Sequence, residues 1–302
     1  MSQPSKKDIS RKYLDIQTSI CSAIERADGT GKFIKDHWSR EQGGGGLTRV
    51  LSDGAILEKA GVNFSEVYGK LTDLMRKNLN VDAHNFFATG MSIVMHPKNP
   101  HVPIIHMNIR YFELDNGTYW FGGGIDLTPH YINKSQASYF HKKLKEICDR
   151  HDPSYYPKFK KWADDYFFIP HRNETRGVGG IFYDHLSEDE SHSKNDIFSF
   201  STDLGEIFSE IYTYLINENK GKSFSAQEKE WQLLRRGRYV EFNLVYDRGT
   251  KFGLYSNGRT ESILMSLPRD ASWYYAHKVD DGSQEKKTLE LLKKNIDWLN
   301  LQ

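Results

Sequence analysis

The chain has 302 residues, of which 38% are hydrophobic and 27% charged, with 41 basic and 40 acidic side chains. A formal charge of +1 argues against a dedicated nucleic-acid-binding protein, which usually carries a basic excess. No apolar run approaches the roughly 20 residues that span a bilayer, and the first ten residues lack the apolar core of a signal peptide. Cys21 and Cys148 form no metal-type set. We therefore expect a soluble, cytoplasmic protein.

Hydrophobic spacing predicts the elements of the first third of the chain. Apolar residues at helical intervals predict a helix over residues 9–27 that stops at Asp28 and Gly29. A strand is predicted over 33–40. Residues 43–46 are all glycine, and we expect them to be irregular because glycine loses much backbone entropy in a regular element. A second helix is predicted over 65–79.

The middle of the chain changes from strands to helices. Period-two alternation over residues 86–127 predicts strands, and the sequence Asp115-Asn116-Gly117 within it is a strong hairpin signal. Helices are predicted over 135–150 and 157–168. The polar stretch 187–195 is the candidate hinge, and a long helix is predicted from there to about Asn219.

The last third mixes both element types. Ser225 and Glu228 form a capping box that predicts a helix start. Strands are predicted over 238–247, 251–255 and 260–267, and a final helix from Gln284. Because no repeat or linker interrupts the chain, we expect a single α+β domain over residues 1–302. Its large, mostly antiparallel sheet would be flanked by helices on both sides.

One face of the central predicted strand is polar. Successive side chains of a strand point to opposite sides, so His106, Asn108 and Arg110 share a face that spans about 13 Å. The alternative to a binding site is an antiparallel sheet whose polar face is simply exposed to water. A sheet face exposed to water usually carries long charged side chains, and this set of residues differs from that composition. A cleft lined by these residues for a large anionic ligand is therefore favoured.

Arginine stands beside glycine at four places: Arg176-Gly177, Arg236-Gly237-Arg238, Arg248-Gly249 and Gly258-Arg259. Guanidinium groups suit carboxylates and phosphates. Each pair alone is better explained by a turn with a solvated arginine, but together with Arg110 they favour a polyanionic small molecule. Residues 122–124 are glycines just before Asp126, which predicts a strand whose bare backbone lets another group approach closely beside Asp126.

These segments resemble the oxygen-dependent coproporphyrinogen III oxidase family. The matching strings are MSIVMHPKNPHVPIIHMNIRYFE from Met91, WFGGGIDLTP from Trp120, HRNETRGVGGIFYD from His171, GRYVEFNLVYDRGT from Gly237 and NGRTESILMSLP from Asn257. The resemblance implies that two propionates of coproporphyrinogen III become vinyl groups, with O2 as electron acceptor and CO2 and H2O2 released. It also implies no organic cofactor and a homodimer, with the predicted strand block after Arg238 in the interface.

The resemblance assigns site residues by matching position. Those implied to hold substrate are Ser92, Asn108, Ile109, Arg110, Arg248, Asn257, Gly258 and Arg259. His106 matches the proposed proton donor. We hypothesise that Asp126 or Asp247 accepts a proton from the pyrrole N–H groups, as a carboxylate can in a water-poor site. Arg110 or Arg248 would hold the departing carboxylate.

Four histidines raise the question of a metal. Bacterial-type members of the family suggest a divalent metal at positions matching His96, His106, His141 and His171, although these spacings fit no compact metal motif. His106 would then be either a ligand or the proton donor, and the sequence leaves both roles open. Two other interpretations compete with the oxidase: a non-catalytic tetrapyrrole carrier, and a metal-dependent oxygenase acting on another aromatic polyacid.

Overall fold

A seven-stranded antiparallel sheet forms the centre of the protein, seen in a computed structural model that describes residues 3–73, 76–77, 81–255 and 258–301. Its strands are β1 (Ile34–Ser39), β2 (Gly44–Ser52), β3 (Leu57–Lys70), β4 (Asn85–Pro97), β5 (Ile104–Leu114), β6 (Tyr119–Thr128) and β9 (Gly180–Leu186), in that spatial order. The short strands β7 (Phe168–Ile169) and β8 (Glu174–Thr175) pair separately. The α+β class is confirmed.

Eight helices of the described ranges surround the sheet. They are α1 (Lys6–Asp28), α2 (Lys134–His151), α3 (Tyr155–Tyr166), α4 (Lys194–Asn219), α5 (Ala226–Glu241), α6 (Arg248–Tyr255), α7 (Thr260–Leu264) and α8 (Gln284–Leu291). A π-helical turn at Phe242–Tyr246 connects α5 to α6. The predicted capping box is confirmed, since the Ser225 side chain accepts from the backbone N–H of Glu228 and the Glu228 carboxylate accepts from that of Ser225.

The two faces of the sheet pack on different partners. On one face, apolar side chains of β4 and β5 such as Met91, Met107 and Ile109 are fully buried against α1 and α4. On the other face, Val94 and Ile104 pack with Tyr239 of α5. A buried ion pair between Arg236 of α5 and Glu58 of β3, 2.5 Å apart, ties the helix to this face. Helix α5 therefore roofs part of the polar face.

The prediction of an irregular chain at 43–46 is wrong for three of the four glycines, because Gly44–Ser52 is strand β2. Close backbone approach explains the composition. A Cβ atom at Gly45 would lie 2.2 Å from the carbonyl oxygen of Trp38, and one at Gly46 would lie 2.3 Å from that of Phe64. Only glycine fits between these neighbours, so the residue type reports crowding here and not disorder.

The helix predicted over 65–79 is also wrong at its start, because residues 65–70 belong to β3. Residues 73, 76 and 77 are helical, and 74–75 and 78–80 lie outside the described ranges.

The three strands predicted after residue 237 are wrong. Residues 238–241 end α5, 242–246 form the π-helical turn, and α6 and α7 take the place of the other two strands. The error has a physical cause, because the apolar residues here fit both the two-residue period of a strand and the period of about 3.6 residues of a helix. Tyr239, Phe242 and Tyr246 lie on the covered side of the helical segment, whereas Leu244, which fits the strand pattern, is exposed, as is Val245.

Candidate active site

The polar side chains of the central strands meet on the face roofed by α5. Strand register places Ser92 directly opposite Asn108, and His106 directly opposite Asp126. Arg110 follows two residues after Asn108 on the same face. Ile109 has its side chain in the apolar layer on the opposite face, where it is fully buried. The sheet therefore brings five of the predicted site residues to one surface and turns Ile109 away from it.

His106 and Asp126 form a hydrogen-bonded pair. The Nδ1–H of His106 donates to Oδ1 of Asp126 across 2.8 Å, and the Asp126 side chain is 1% exposed. Burial by itself would raise the pKa of Asp126, but the charge of Arg176 and the His106 hydrogen bond outweigh it and lower that pKa. The carboxylate is therefore ionised and can only accept protons in hydrogen bonds. This fixes the proton on Nδ1 and leaves Nε2 as the nitrogen for chemistry.

Arg176 is the third member of the group that His106 and Asp126 form. Its guanidinium donates to both carboxylate oxygens of Asp126, from Nη2 at 2.7 Å and from Nε at 3.2 Å. Nη1 donates to the side-chain oxygen of Asn243 at 3.3 Å. Three aromatic rings surround the guanidinium carbon at 4.5–4.7 Å, those of Phe167, Tyr239 and Phe242. A buried cation of this kind is stable only because it is paired and stacked.

The bare glycine strand makes room for Arg110. A Cβ atom at Gly122, its cross-strand partner, would lie 2.7 Å from the Nε atom of Arg110. The Arg110 guanidinium donates to Asn108 Oδ1 at 3.1 Å and pairs with Asp184 at 2.9 Å. Its side chain stays 40% exposed. Arg110 is thus held in the cleft by neighbours and can still reach an anionic group of a ligand.

A second arginine lies at the other end of the polar face. Arg259 donates to Ser262 at 3.0 Å and pairs with Asp36 of β1 at 2.5 Å. Ser262 in turn bonds Thr48 of β2 at 2.9 Å, which links the α7 segment to the sheet. Gly258 precedes Arg259, and its backbone N–H donates to the carbonyl of Gly253. Asn257, also predicted to bind substrate, lies outside the described residues.

Asp247 and Arg248 lie where the π-helical turn meets α6. The Asp247 carboxylate accepts from the Tyr166 hydroxyl at 2.8 Å and from the backbone N–H of Thr250 at 2.6 Å, so it caps the helix. Asp247 is half-buried and Arg248 is exposed. The Tyr166 ring lies against Phe182 and Phe242. Asp247 is therefore the more accessible of the two candidate aspartates.

The deciding comparison is with known sequences. The family model described as coproporphyrinogen III oxidase matches residues 8–298. The chain belongs to the coproporphyrinogen III oxidase family. It is 49% identical to the oxygen-dependent coproporphyrinogen-III oxidase of Drosophila melanogaster over 300 residues, which cover 95% of this chain and 76% of the relative.

Two further relatives of this oxidase family span animals and bacteria. The mitochondrial oxygen-dependent coproporphyrinogen-III oxidase of Homo sapiens is 49% identical over 95% of this chain and 65% of its own length. The oxygen-dependent coproporphyrinogen-III oxidase of Prochlorococcus marinus strain MIT 9312 is 45% identical over 98% of this chain and 93% of its own length. Within the described ranges of this chain, no helix is long and apolar enough to cross a membrane.

The four histidines discussed as metal ligands in this oxidase-family chain have other partners. Both ring nitrogens of His141 are engaged, with the Tyr156 hydroxyl and the Val178 carbonyl. Those of His171 contact Tyr246 and Glu241. His96 donates to the Ser266 carbonyl, and burial lowers its pKa to about 3.

Across the described residues, no three His, Cys, Asp or Glu side chains are arranged to hold a metal ion. The residues present therefore do not fit the metal suggested for bacterial-type members.

Several cleft residues of this oxidase-family chain were not singled out from the sequence. Asp184 pairs with Arg110, and Asp36 with Arg259. Phe167 and Tyr166 place their rings beside His106 and Asp247 from a segment that was predicted only as helix. No local signal marks these residues, because their roles depend on contacts far apart in the chain. The sequence marked Arg176 by its neighbouring glycine, but it did not predict that Arg176 pairs with Asp126.

Proposed function

We propose that the protein catalyses the oxygen-dependent conversion of coproporphyrinogen III to protoporphyrinogen IX in haem biosynthesis. The observation that carries this proposal is the polar face of β4–β6, which presents His106 and Arg110 and where the Phe167 ring lies against His106. A large ligand that is apolar in its ring and anionic at its edge suits such a cleft. Family membership gives the same substrate in the names of the relatives.

The reaction balances with oxygen alone as the oxidant. For each of two propionates, the C–C bond to the carboxylate breaks and CO2 leaves, while a hydride equivalent leaves the carbon next to the pyrrole. The remaining electron pair forms the vinyl double bond. The hydride equivalent and one proton reduce O2 to H2O2. Each cycle therefore consumes one proton, and the cleft must deliver it.

His106 is the residue that we assign to proton delivery. Asp126 holds its Nδ1 proton at 2.8 Å, so the imidazolium can release only the proton on Nε2. Among the described residues, that nitrogen has no hydrogen-bond partner, and the side chain is 17% exposed. A positioned histidine is well suited to donate a proton near neutral pH.

The cleft arginines account for the substrate carboxylates. Arg110 and Arg259 each hold a protein carboxylate at 2.5–2.9 Å in the free protein. A substrate propionate can take the same position, since guanidinium binds carboxylates through paired hydrogen bonds. Ser92 and Asn108 add neutral donors and acceptors between them. Exposed Arg248 supplies a third cation at the edge of the cleft, beside Asp247.

We assign the pyrrole N–H contact to Asp247. Both oxygens of Asp126 are engaged by Arg176 and His106, whereas Asp247 is half-buried and accepts two hydrogen bonds. A carboxylate has room for further donors. Accepting from the pyrrole N–H groups would raise the electron density of the ring that meets oxygen.

The deciding experiment is product formation from reduced coproporphyrinogen III, with and without O2, analysed by chromatography after oxidation to porphyrins. We expect oxygen-dependent protoporphyrin and a three-carboxylate intermediate. Asp247→Asn keeps the helix cap but loses the charge, so we expect roughly a 100-fold lower kcat with little change in KM. Binding without turnover by the wild type would favour the carrier, and loss of activity after chelation would favour the metal-dependent oxygenase.

We also propose a homodimer whose interface includes the exposed apolar surface of the π-helical turn and α6. Five of its side chains are 38–82% exposed: Leu244, Val245, Phe252, Leu254 and Tyr255. Contiguous apolar exposure of this kind is typical of interaction sites. Light scattering of the wild type should give twice the chain mass, and Phe252→Glu should halve it. A wild-type monomer at assay concentration would refute the dimer.

We propose a cytoplasmic location, which the two buried, unpaired cysteines support, since disulfides are rare in reducing compartments. Fractionation of cells that make the protein at native level should place it with cytosolic markers. Recovery with an organelle or membrane pellet would refute this location.

A further inference from the structure

We propose that Arg176 is a positioning residue for this oxidation: its guanidinium fixes the Asp126 carboxylate, which in turn fixes the tautomer and ring orientation of His106. The inference extends the proposed function, on which only its kinetic test depends. None of these contacts requires substrate, so the arrangement exists in the free protein.

The Asp126 carboxylate depends on its neighbours for its position. Its side chain comes from strand β6, opposite His106 and Gly180 of the neighbouring strands, and has no backbone donor among its hydrogen bonds in the described ranges. Arg176 is its only cationic side-chain partner apart from His106 there. A carboxylate held by both oxygens has a fixed plane, and the direction of its bond to His106 is then fixed as well.

Arg176 is itself fixed in position by burial, by aromatic rings and by a hydrogen bond. The side chain is 1% exposed, and Phe167, Tyr239 and Phe242 enclose the guanidinium at 4.5–4.7 Å. Asn243 accepts from Nη1 at 3.3 Å and donates to the Tyr239 carbonyl at 2.9 Å. Because the cation is enclosed on its faces and along its edge, it cannot follow Asp126 if that carboxylate shifts.

The rings that enclose Arg176 also contact the cleft. The Phe167 ring that stacks on Arg176 also meets the His106 ring edge-on, with centroids 6.3 Å apart. The backbone N–H of Arg176 donates to the Phe167 carbonyl at 2.9 Å. His106 is therefore held by a hydrogen bond at Nδ1 and by a ring on its flank, and both supports lead back to Arg176.

The test uses Arg176→Lys, which keeps the charge but loses the fork that spans both Asp126 oxygens and Asn243. We expect kcat to fall roughly 100-fold, because small misplacement of a catalytic group costs about that much. KM for coproporphyrinogen should change less than about threefold, since Arg176 does not touch the cleft. A kcat within threefold of the wild type would overturn the proposal.

A matched control separates positioning from general stability. Arg235 is 3% exposed, pairs with Glu174 at 2.8 Å and lies 5.7 Å from the Trp231 ring, outside the polar face. Arg235→Lys disturbs a similarly buried pair, so its melting temperature should fall comparably while kcat stays unchanged. An equal loss of kcat in both variants would mean that Arg176 matters only for folding.

A spectroscopic readout does not depend on turnover. The Nδ1 proton that His106 donates to Asp126 should give a far-downfield proton resonance, assigned by its loss in His106→Gln. Arg176→Lys should shift or broaden this resonance, and Arg235→Lys should leave it in place. If the wild type fails to oxidise coproporphyrinogen, the proposed function fails while this result still tests the positioning. An unchanged resonance in Arg176→Lys would overturn it.

A double variant keeps the proposal testable if Arg176→Lys does not fold. Asp126→Asn combined with Arg176→Gln leaves no unpaired charge in the interior, where such charges are costly. If Arg176 acts only through Asp126, the double variant should turn over no more slowly than Asp126→Asn alone. Losses that multiply would show that the two residues act independently and would contradict the proposal.

Discussion

The two faces of the central sheet are made by the same strands and have opposite properties. Met107 and Ile109 of β5 point into an apolar layer and are fully buried. Asn108 and Arg110, which alternate with them, point into the cleft and are partly exposed. Because residues adjacent in the chain lie on opposite faces, the comparison separates what holds the sheet together from what binds a ligand.

The polar face also shows how the arginines of the cleft are neutralised when no ligand is bound. Arg110 and Arg259, on different elements, both pair with a protein carboxylate, Asp184 and Asp36 respectively. An anionic substrate therefore meets cations that are already oriented toward carboxylate oxygens. Part of its binding energy must replace these internal pairs, which favours a ligand with several carboxylates over one with a single charge.

The largest expected effect tests the difference between neighbours on β5. Met107→Ala should lower the free energy of unfolding by about 2–5 kcal/mol, because it leaves a cavity in the apolar layer. Asn108→Ala should change it by less than about 1 kcal/mol and should instead raise KM for coproporphyrinogen. Chemical denaturation and steady-state kinetics of both variants measure this contrast. Equal destabilisation by the two variants would mean that the faces are not functionally distinct.

A smaller effect is expected at the cleft arginine. Arg110→Gln should raise KM roughly 10- to 100-fold, which corresponds to the loss of one charged hydrogen-bond set. The matched control is Arg150→Gln, since Arg150 pairs with Asp203 at 3.5 Å and its side chain is 60% exposed. It removes the same charge from the surface, and its KM should stay at the wild-type value. A similar rise in both would indicate long-range charge and not a contact.

Sequence analysis predicted the polar face well because alternation in β4 and β5 is set locally. It failed for residues 238–267, where side chains such as Phe242 and Tyr246 fit a strand and a helix equally. Packing of Phe242 against Tyr166 and Phe167, which lie far away in the chain, favours the helical form. Pairing of Asp126 with Arg176 was also beyond prediction, because it joins positions 50 residues apart that are separated in the chain by the helices α2 and α3.

The smallest effect concerns the roof of the polar face and its dependence on pH. Glu241, the last residue of α5, accepts hydrogen bonds from Arg172, His171, Arg238 and Trp273. Burial would raise the pKa of Glu241, but these donors and charges outweigh it and lower the pKa from 4.5 to about 2. The carboxylate thus fastens the end of α5 to the turn at Pro170–Arg172.

The sign of the pH effect follows from this lowered pKa. Because the folded pKa lies below the unfolded one, Glu241 stabilises the protein fully above pH 4.5 and loses that contribution as the pH falls toward about 2. The stability advantage of wild type over Glu241→Gln should therefore shrink through this window, measured by denaturation at each pH. Glu230→Gln, which removes an exposed carboxylate of the same helix, should show little change. An advantage of wild type that stays constant down to about pH 2 would contradict this, because the Glu241 contacts would then contribute through packing and not through charge.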